Sequence, residues 1–149
     1  MGFPLRALFL ALLGLLSSTA LWASDFRSIE APAAILYDAP SQKAKRLFLM
    51  RAGTPVEVVV RLEGWSKVRD AEGTLAWVES AQLSERRTLL VTAGRAELRA
   101  TANDAAQVLA RFDKWVVLEY VSPAAAGWVQ VRHRDGLQGQ IRATQVWGL

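Results

Sequence analysis

A fifteen-residue stretch of this chain is written twice. Gly64-Trp65-Ser66-Lys67-Val68-Arg69-Asp70-Ala71-Glu72-Gly73-Thr74-Leu75-Ala76-Trp77-Val78 returns as Gly127-Trp128-Val129-Gln130-Val131-Arg132-His133-Arg134-Asp135-Gly136-Leu137-Gln138-Gly139-Gln140-Ile141, every position offset by 63. Upstream the match continues through small insertions: Leu36-Tyr37 aligns with Leu98-Arg99 at an offset of 62, and the loop Ser122-Pro123-Ala124-Ala125-Ala126 lengthens what Leu62-Glu63 does briefly. A duplication of this kind demands two copies of one small unit, each of roughly 60 residues and each with a core of its own.

The units read as all-β. Apolar runs are short, rich in β-branched and aromatic residues and interrupted by turn formers, and no window sustains a helical apolar period. In the first unit Pro55 to Arg61, Trp65 to Arg69 and Leu75 to Val78 are strand candidates; in the second, Trp115 to Val121, Trp128 to Arg132 and Gln138 to Ile141. Asp70-Ala71-Glu72-Gly73 and Arg134-Asp135-Gly136 are the matching hairpin turns, with glycine free to take a positive φ and aspartate able to brace the backbone. Each unit also opens with an extra extended segment, Phe26 to Ile29 and Thr88 to Thr92, the latter also able to close the first barrel. With no Gly- or Ser-rich linker near Glu85-Arg86-Arg87, the units are expected to pack against each other or to share a strand. Cores are expected around Val58, Val68, Val78 and Leu83 in the first unit and Leu118, Val131, Ile141 and Val146 in the second.

The amino-terminal segment has the composition of an export signal. Arg6 supplies the positive charge, Ala7 to Leu16 is mostly apolar, and small residues offer cleavage after Ala20 or Ala23, which divides the chain into a leader at 1–23 and units at 24–86 and 87–149. The apolar run is short against the ~20 residues of a membrane helix, so membrane association is expected only through an uncleaved signal. There is no cysteine, which excludes a lipid-anchored amino terminus and any disulfide, and the expected compartment is the periplasm.

Charge and composition exclude further classes. The chain carries 18 Lys and Arg against 14 Asp and Glu, a formal net charge of +4, with both signs interspersed, so a nucleic-acid partner is not expected. With no cysteine nucleophile and His133 the one histidine, neither a cysteine peptidase nor a multi-histidine metal centre can be assembled. No phosphate loop, nucleophile elbow or Ser-His-Asp set is present, and no enzyme, metal or cofactor is expected.

Gly64-Trp65, Val68-Arg69, Gly73, Ala76-Trp77-Val78 and Leu83, repeated as Gly127-Trp128, Val131-Arg132, Gly136, Gly139-Gln140-Ile141 and Val146, resemble the bacterial SH3-like (Src-homology-3-like) domain family. The resemblance implies two tandem five-stranded barrels, each with a long first loop, a distal hairpin and a 3₁₀ turn before the last strand. It also implies a non-catalytic binding module that recognises cell-wall peptide or glycan, a peptidoglycan fragment, or alternatively an adaptor for an envelope protein. Ile35-Leu36-Tyr37-Asp38 is similar to the opening of eukaryotic members that bind polyproline, but the proline and second tyrosine of such a groove are missing from Glu79 to Gln82 and from Arg142 to Gln145.

Within that frame the candidate ligand residues are Tyr37, Lys43, Arg46 and Trp77. Trp65 and Trp128 recur at paired positions and read as packing residues, whereas Trp77 is replaced by Gln140 in the second unit and so is free to serve a surface. Lys43, Lys45, Arg46 and Arg51 are placed in the long first loop beside Tyr37 and Trp77, a cationic setting for a carboxylate. Unit two has Arg99 for Tyr37 and a first loop read as two residues shorter and less basic, which puts the ligand surface on unit one.

Overall fold

A computed structural model describes residues 23–30 and 32–149; the expected export signal lies at 1–22, outside the described residues, apart from its Ala23 boundary. Among the described residues fourteen strands form two seven-stranded sheets with one connectivity repeated. The first comprises β1 (Phe26–Ile29), β2 (Ala33–Tyr37), β3 (Arg46–Arg51), β4 (Pro55–Leu62), β5 (Trp65–Arg69), β6 (Leu75–Glu79) and β7 (Leu83–Ser84), in the order β3-β2-β6-β5-β4-β1-β7. The second comprises β8 (Thr88–Val91), β9 (Arg95–Arg99), β10 (Val108–Asp113), β11 (Val117–Pro123), β12 (Trp128–Arg132), β13 (Gln138–Arg142) and β14 (Val146–Trp147), in the order β10-β9-β13-β12-β11-β8-β14. A 3₁₀ turn, Ser80–Gln82 or Ala143–Gln145, precedes each last strand.

Two strands in each sheet lie beyond the five that the resemblance implies. One is the opening segment, β1 or β8. The other is β3 or β10, and it corrects the reading of the basic loop: Arg46 begins β3 and Arg51 ends it, leaving Lys43 and Lys45 in the loop. Pairing of Leu36 with Phe48 and of Ala34 with Met50 holds β3 in the sheet and buries Met50. The exposed Leu47 and Leu49 hide this alternation in the sequence. The loops at 38–45 and 100–107 have the same length, so the second is not shortened. Trp115 also lies outside β11, in the turn before it.

The distal hairpins are braced by their aspartates. Asp70 Oδ1 accepts from the backbone N–H groups of Glu72 (2.9 Å) and Thr74 (2.8 Å), with Gly73 at φ 88°. Asp135 Oδ1 accepts from the Leu137 N–H at 2.9 Å, with Gly136 at φ 93°.

Each sheet wraps its own core. Val68 and Val78 are fully buried in the first, with Val58 and Leu83 packed at its margin; Leu118, Val131, Ile141 and Val146 are all buried in the second. The largest fully buried side chains include Leu36 and Leu98, at equivalent places on β2 and β9.

The two barrels pack against each other without sharing a strand, because β8 pairs only within the second sheet. Thr88 Oγ1 donates to the Gly53 carbonyl at 2.6 Å across the junction, and Ser28 Oγ donates at 2.7 Å to the carbonyl of Arg86, which ends the first unit. Phe26 meets Trp147 edge-on with ring centroids 5.0 Å apart. Arg87 lies over Phe26 and Tyr120 and donates to the Gly148 carbonyl. Thr88 is buried, so Thr88→Val keeps its shape and removes its donor; we expect a loss of about 1 kcal/mol in urea unfolding, mostly from the stranded Gly53 carbonyl.

Candidate functional site

The outward residues of the first sheet converge on one row. Period-two alternation turns Ser66 and Val68 of β5 inward and leaves Trp65, Lys67 and Arg69 outward, while β6 buries Ala76 and Val78 under Trp77. Register pairs Arg46 with Tyr37, Tyr37 with Trp77 and Trp77 with Lys67, so these four residues cross β3, β2, β6 and β5 in line. Ile35 opposite Leu49 and Leu62 opposite Trp65 extend the surface to both sides, with Leu49 65% and Leu62 51% exposed.

Within the row the side chains divide the work. Tyr37 is 6% exposed and packs its ring edge-on against Trp65 at a centroid distance of 5.5 Å, which makes it a support for the surface more than a contact on it. Trp77 is half-buried, with Lys67 Nζ 5.9 Å from its ring centroid. Arg46 is exposed at the start of β3. The structure therefore unites three of the four expected residues. Lys43 stands in the loop, held by its backbone N–H on Ser41 Oγ, without a described contact to the row. Lys67, Ile35, Leu49 and Leu62 were missed from sequence, although alternation along β5 places Lys67 on the face of Trp65.

The second sheet shows what the same positions look like when closed. Arg99 and Gln140 face each other where the first sheet has Tyr37 and Trp77, and Gln140 bonds its cross-strand neighbour Gln130. Glu97 holds both Arg99 and Arg111, filling the place of the Ile35 and Leu49 pair with an ion-pair ladder. Arg142 pairs with Asp104 and lies 4.5 Å above the ring of Trp128, which is 8% exposed where Trp65 is half-buried. Arg99, Arg111 and Arg142 of this face are ion-paired, and Gln140 Oε1 is buried without a hydrogen-bond partner; the first face presents aromatic and aliphatic surface between cations.

At the second hairpin tip the Leu137 N–H, with His133 adding a hydrogen bond, holds the Asp135 carboxyl below its usual range. That arrangement braces a turn. Among the described residues no three His, Cys, Asp or Glu side chains cluster as metal ligands, and no helix is long and apolar enough to cross a membrane.

A family model described as the bacterial SH3 domain matches the chain twice, at residues 30–85 and 92–148, each match covering one sheet except its opening strand, β1 or β8. The chain belongs to the bacterial SH3 domain family. Its all-β architecture in two tandem SH3 domains agrees with the reading from sequence. No curated protein is a significant match. Solved structures similar to the tandem include NlpC2 from Trichomonas vaginalis (12% identity, TM-score 0.39, covering 84% of this chain and 48% of that one). NlpC1 from the same organism aligns at 12% identity and TM-score 0.39, covering 87% and 47%. An NlpC/P60 family protein from Bacillus cereus ATCC 10987 aligns at 18% identity and TM-score 0.38, covering 82% and 55%. The chain spans about half the length of these proteins.

Proposed function

We propose that the chain is an exported, non-catalytic binding module that holds cell-wall peptide or glycan on the outer face of its first SH3 domain, around Trp77. Bacterial SH3 domains are typically binding modules and often occur in cell-wall proteins. The observation that carries the assignment to one domain is the contrast between the two faces. Where the second domain sets Arg99, Gln140 and Gln130, the first sets Tyr37, Trp77 and Lys67. A flat aromatic surface flanked by Lys67 and Arg46 matches a ligand with an apolar ring or side chain and a nearby carboxylate. Lys43 and Lys45 add positive charge from the adjoining loop.

Sedimentation with purified peptidoglycan tests the reading, with expected retention of the native protein and release by Trp77→Ala. Retention that Trp77→Ala does not change moves the site elsewhere; no retention at all rejects the wall ligand. Export carries its own expectation: mass spectrometry of a periplasmic fraction should find an amino terminus at Leu21 or Ser24. Recovery with Met1 intact in the membrane pellet overturns that part.

A second reading has support from one observation. β3 is an edge of the first sheet and exposes Leu47 and Leu49 between Arg46 and Arg51, whereas the equivalent edge strand β10 exposes Leu109 but sets Arg111 where β3 has Leu49. A sheet edge with an apolar middle accepts an added strand, which is how an adaptor would dock an envelope protein.

A further inference from the structure

Trp115 stands where its counterpart in the first domain is a glycine. Gly53 follows β3 at φ 81°, and Trp115 follows β10 at φ 75°. Both turns are tied by the same bond, from the Gly53 N–H to the Ile29 carbonyl (2.9 Å) and from the Trp115 N–H to the Val91 carbonyl (2.8 Å). Glycine takes this left-handed conformation without steric cost, whereas a tryptophan there is strained by on the order of 1–3 kcal/mol. Burial does not return that cost, because Trp115 is 45% exposed. A bulky aromatic kept in a glycine position and nearly half exposed carries strain that its partial burial does not explain, and strain of this sort gathers at binding sites.

Its surroundings define what it could bind. Trp115 borders a cleft of about 610 Å³ between the domains, lined also by Arg51 and Thr54 from the first and by Leu90, His133 and Arg134 from the second. No carboxylate lines this cleft. The guanidinium groups of Arg51 and Arg134 have no ion pair or hydrogen bond among the described residues, unlike those of Arg27, Arg61 and Arg69. Lys114 Nζ lies 4.3 Å from the Trp115 ring centroid and adds a further cation. Of the nearby carboxylates, Asp135 Oδ2 lies 3.0 Å from His133 Nδ1, Asp70 and Glu72 border a smaller hollow behind Trp115, and Glu30 and Glu119 line an adjoining hollow that Arg134 also borders, Glu119 being paired with Arg86 and Arg132.

We propose that this interdomain cleft is a binding site for a carboxylate-bearing sugar, with the indole against the C–H face of the ring and the carboxylate between Arg51 and Arg134. Its volume suits one or two sugar rings. Strands β8 and β11 beneath it are paired on both sides, so they offer no edge for an extended peptide. The site exists only while the two domains are docked, and it does not depend on the sheet face around Trp77.

N-acetylmuramic acid and N-acetylglucosamine share a ring and differ by the carboxylate arm, so titration of the mature tandem with each, followed by calorimetry or NMR, separates the contributions. We expect the acid to bind about tenfold tighter or more, and Arg134→Ala and Arg51→Ala each to erase most of that difference. Trp115→Gly should weaken both sugars about tenfold or more while its thermal midpoint holds or rises, since it relieves strain. Equal affinity for the two sugars, or no binding of either, overturns the proposal. So does a Trp115→Gly or Trp115→Asn variant that binds normally, or that melts well below the native protein.

Discussion

Leu36→Ala and Leu98→Ala should each lower the free energy of unfolding by about 2–5 kcal/mol, among the largest stability effects of single truncations in this chain. Both side chains are fully buried, at 1% and 0% exposure, and each sits on an inner strand, β2 or β9, under the crossing of its barrel. Removing the isobutyl group forfeits the transfer energy of its methyl and methylene carbons and leaves a cavity that paired strands on both sides cannot collapse to fill. Val68→Ala and Val131→Ala, also fully buried, remove less volume and should cost roughly half as much. Urea titration followed by tryptophan fluorescence measures all four. A loss below about 1 kcal/mol at both leucines would mean that the inward register of β2 and β9 is wrong.

Trp77→Ala should reduce binding to peptidoglycan about tenfold or more and leave the thermal midpoint nearly unchanged. The half-buried ring lies on the outer face of β6, above Ala76 and Val78, whose packing it does not supply. The second domain provides the internal control, because Gln140 occupies the equivalent place in an otherwise similar sheet. Trp77→Gln in the first domain should therefore fold as well as the native protein while losing the ligand. Melting of Trp77→Gln far below the native midpoint would make the residue structural and end its assignment to a binding surface.

The duplicated stretch, with glycine and aspartate at matching turns, was enough to read two all-β units, and the structure has both with equivalent hairpins. Legibility was high there because turn chemistry and period-two alternation act over neighbouring residues. It failed at β3, where Leu47 and Leu49 mask the alternation of Phe48 and Met50, and the strand exists because Ala34 and Leu36 lie across from it. Sequence alone singled out Tyr37, Lys43, Arg46 and Trp77, of which Tyr37, Arg46 and Trp77 lie in one row and Lys43 stays in the loop. It could not say that Tyr37 supports the surface from beneath, since that depends on Trp65 arriving from β5.

Trp115 draws the line between the two kinds of information. Its identity was in plain view, as was the glycine of the first unit, but the positive φ that makes the pair meaningful follows from a hydrogen bond to Val91 closed by folding. The cleft beside it follows from packing between barrels. Local chemistry, carried by residues a few places apart, set the fold class, the repeat and the turns. Pairing and docking of segments far apart in the chain decided which side chains face outward together, because only closure of the sheet brings Arg46 beside Tyr37 and only docking of the barrels brings Arg51 and Arg134 to one cleft.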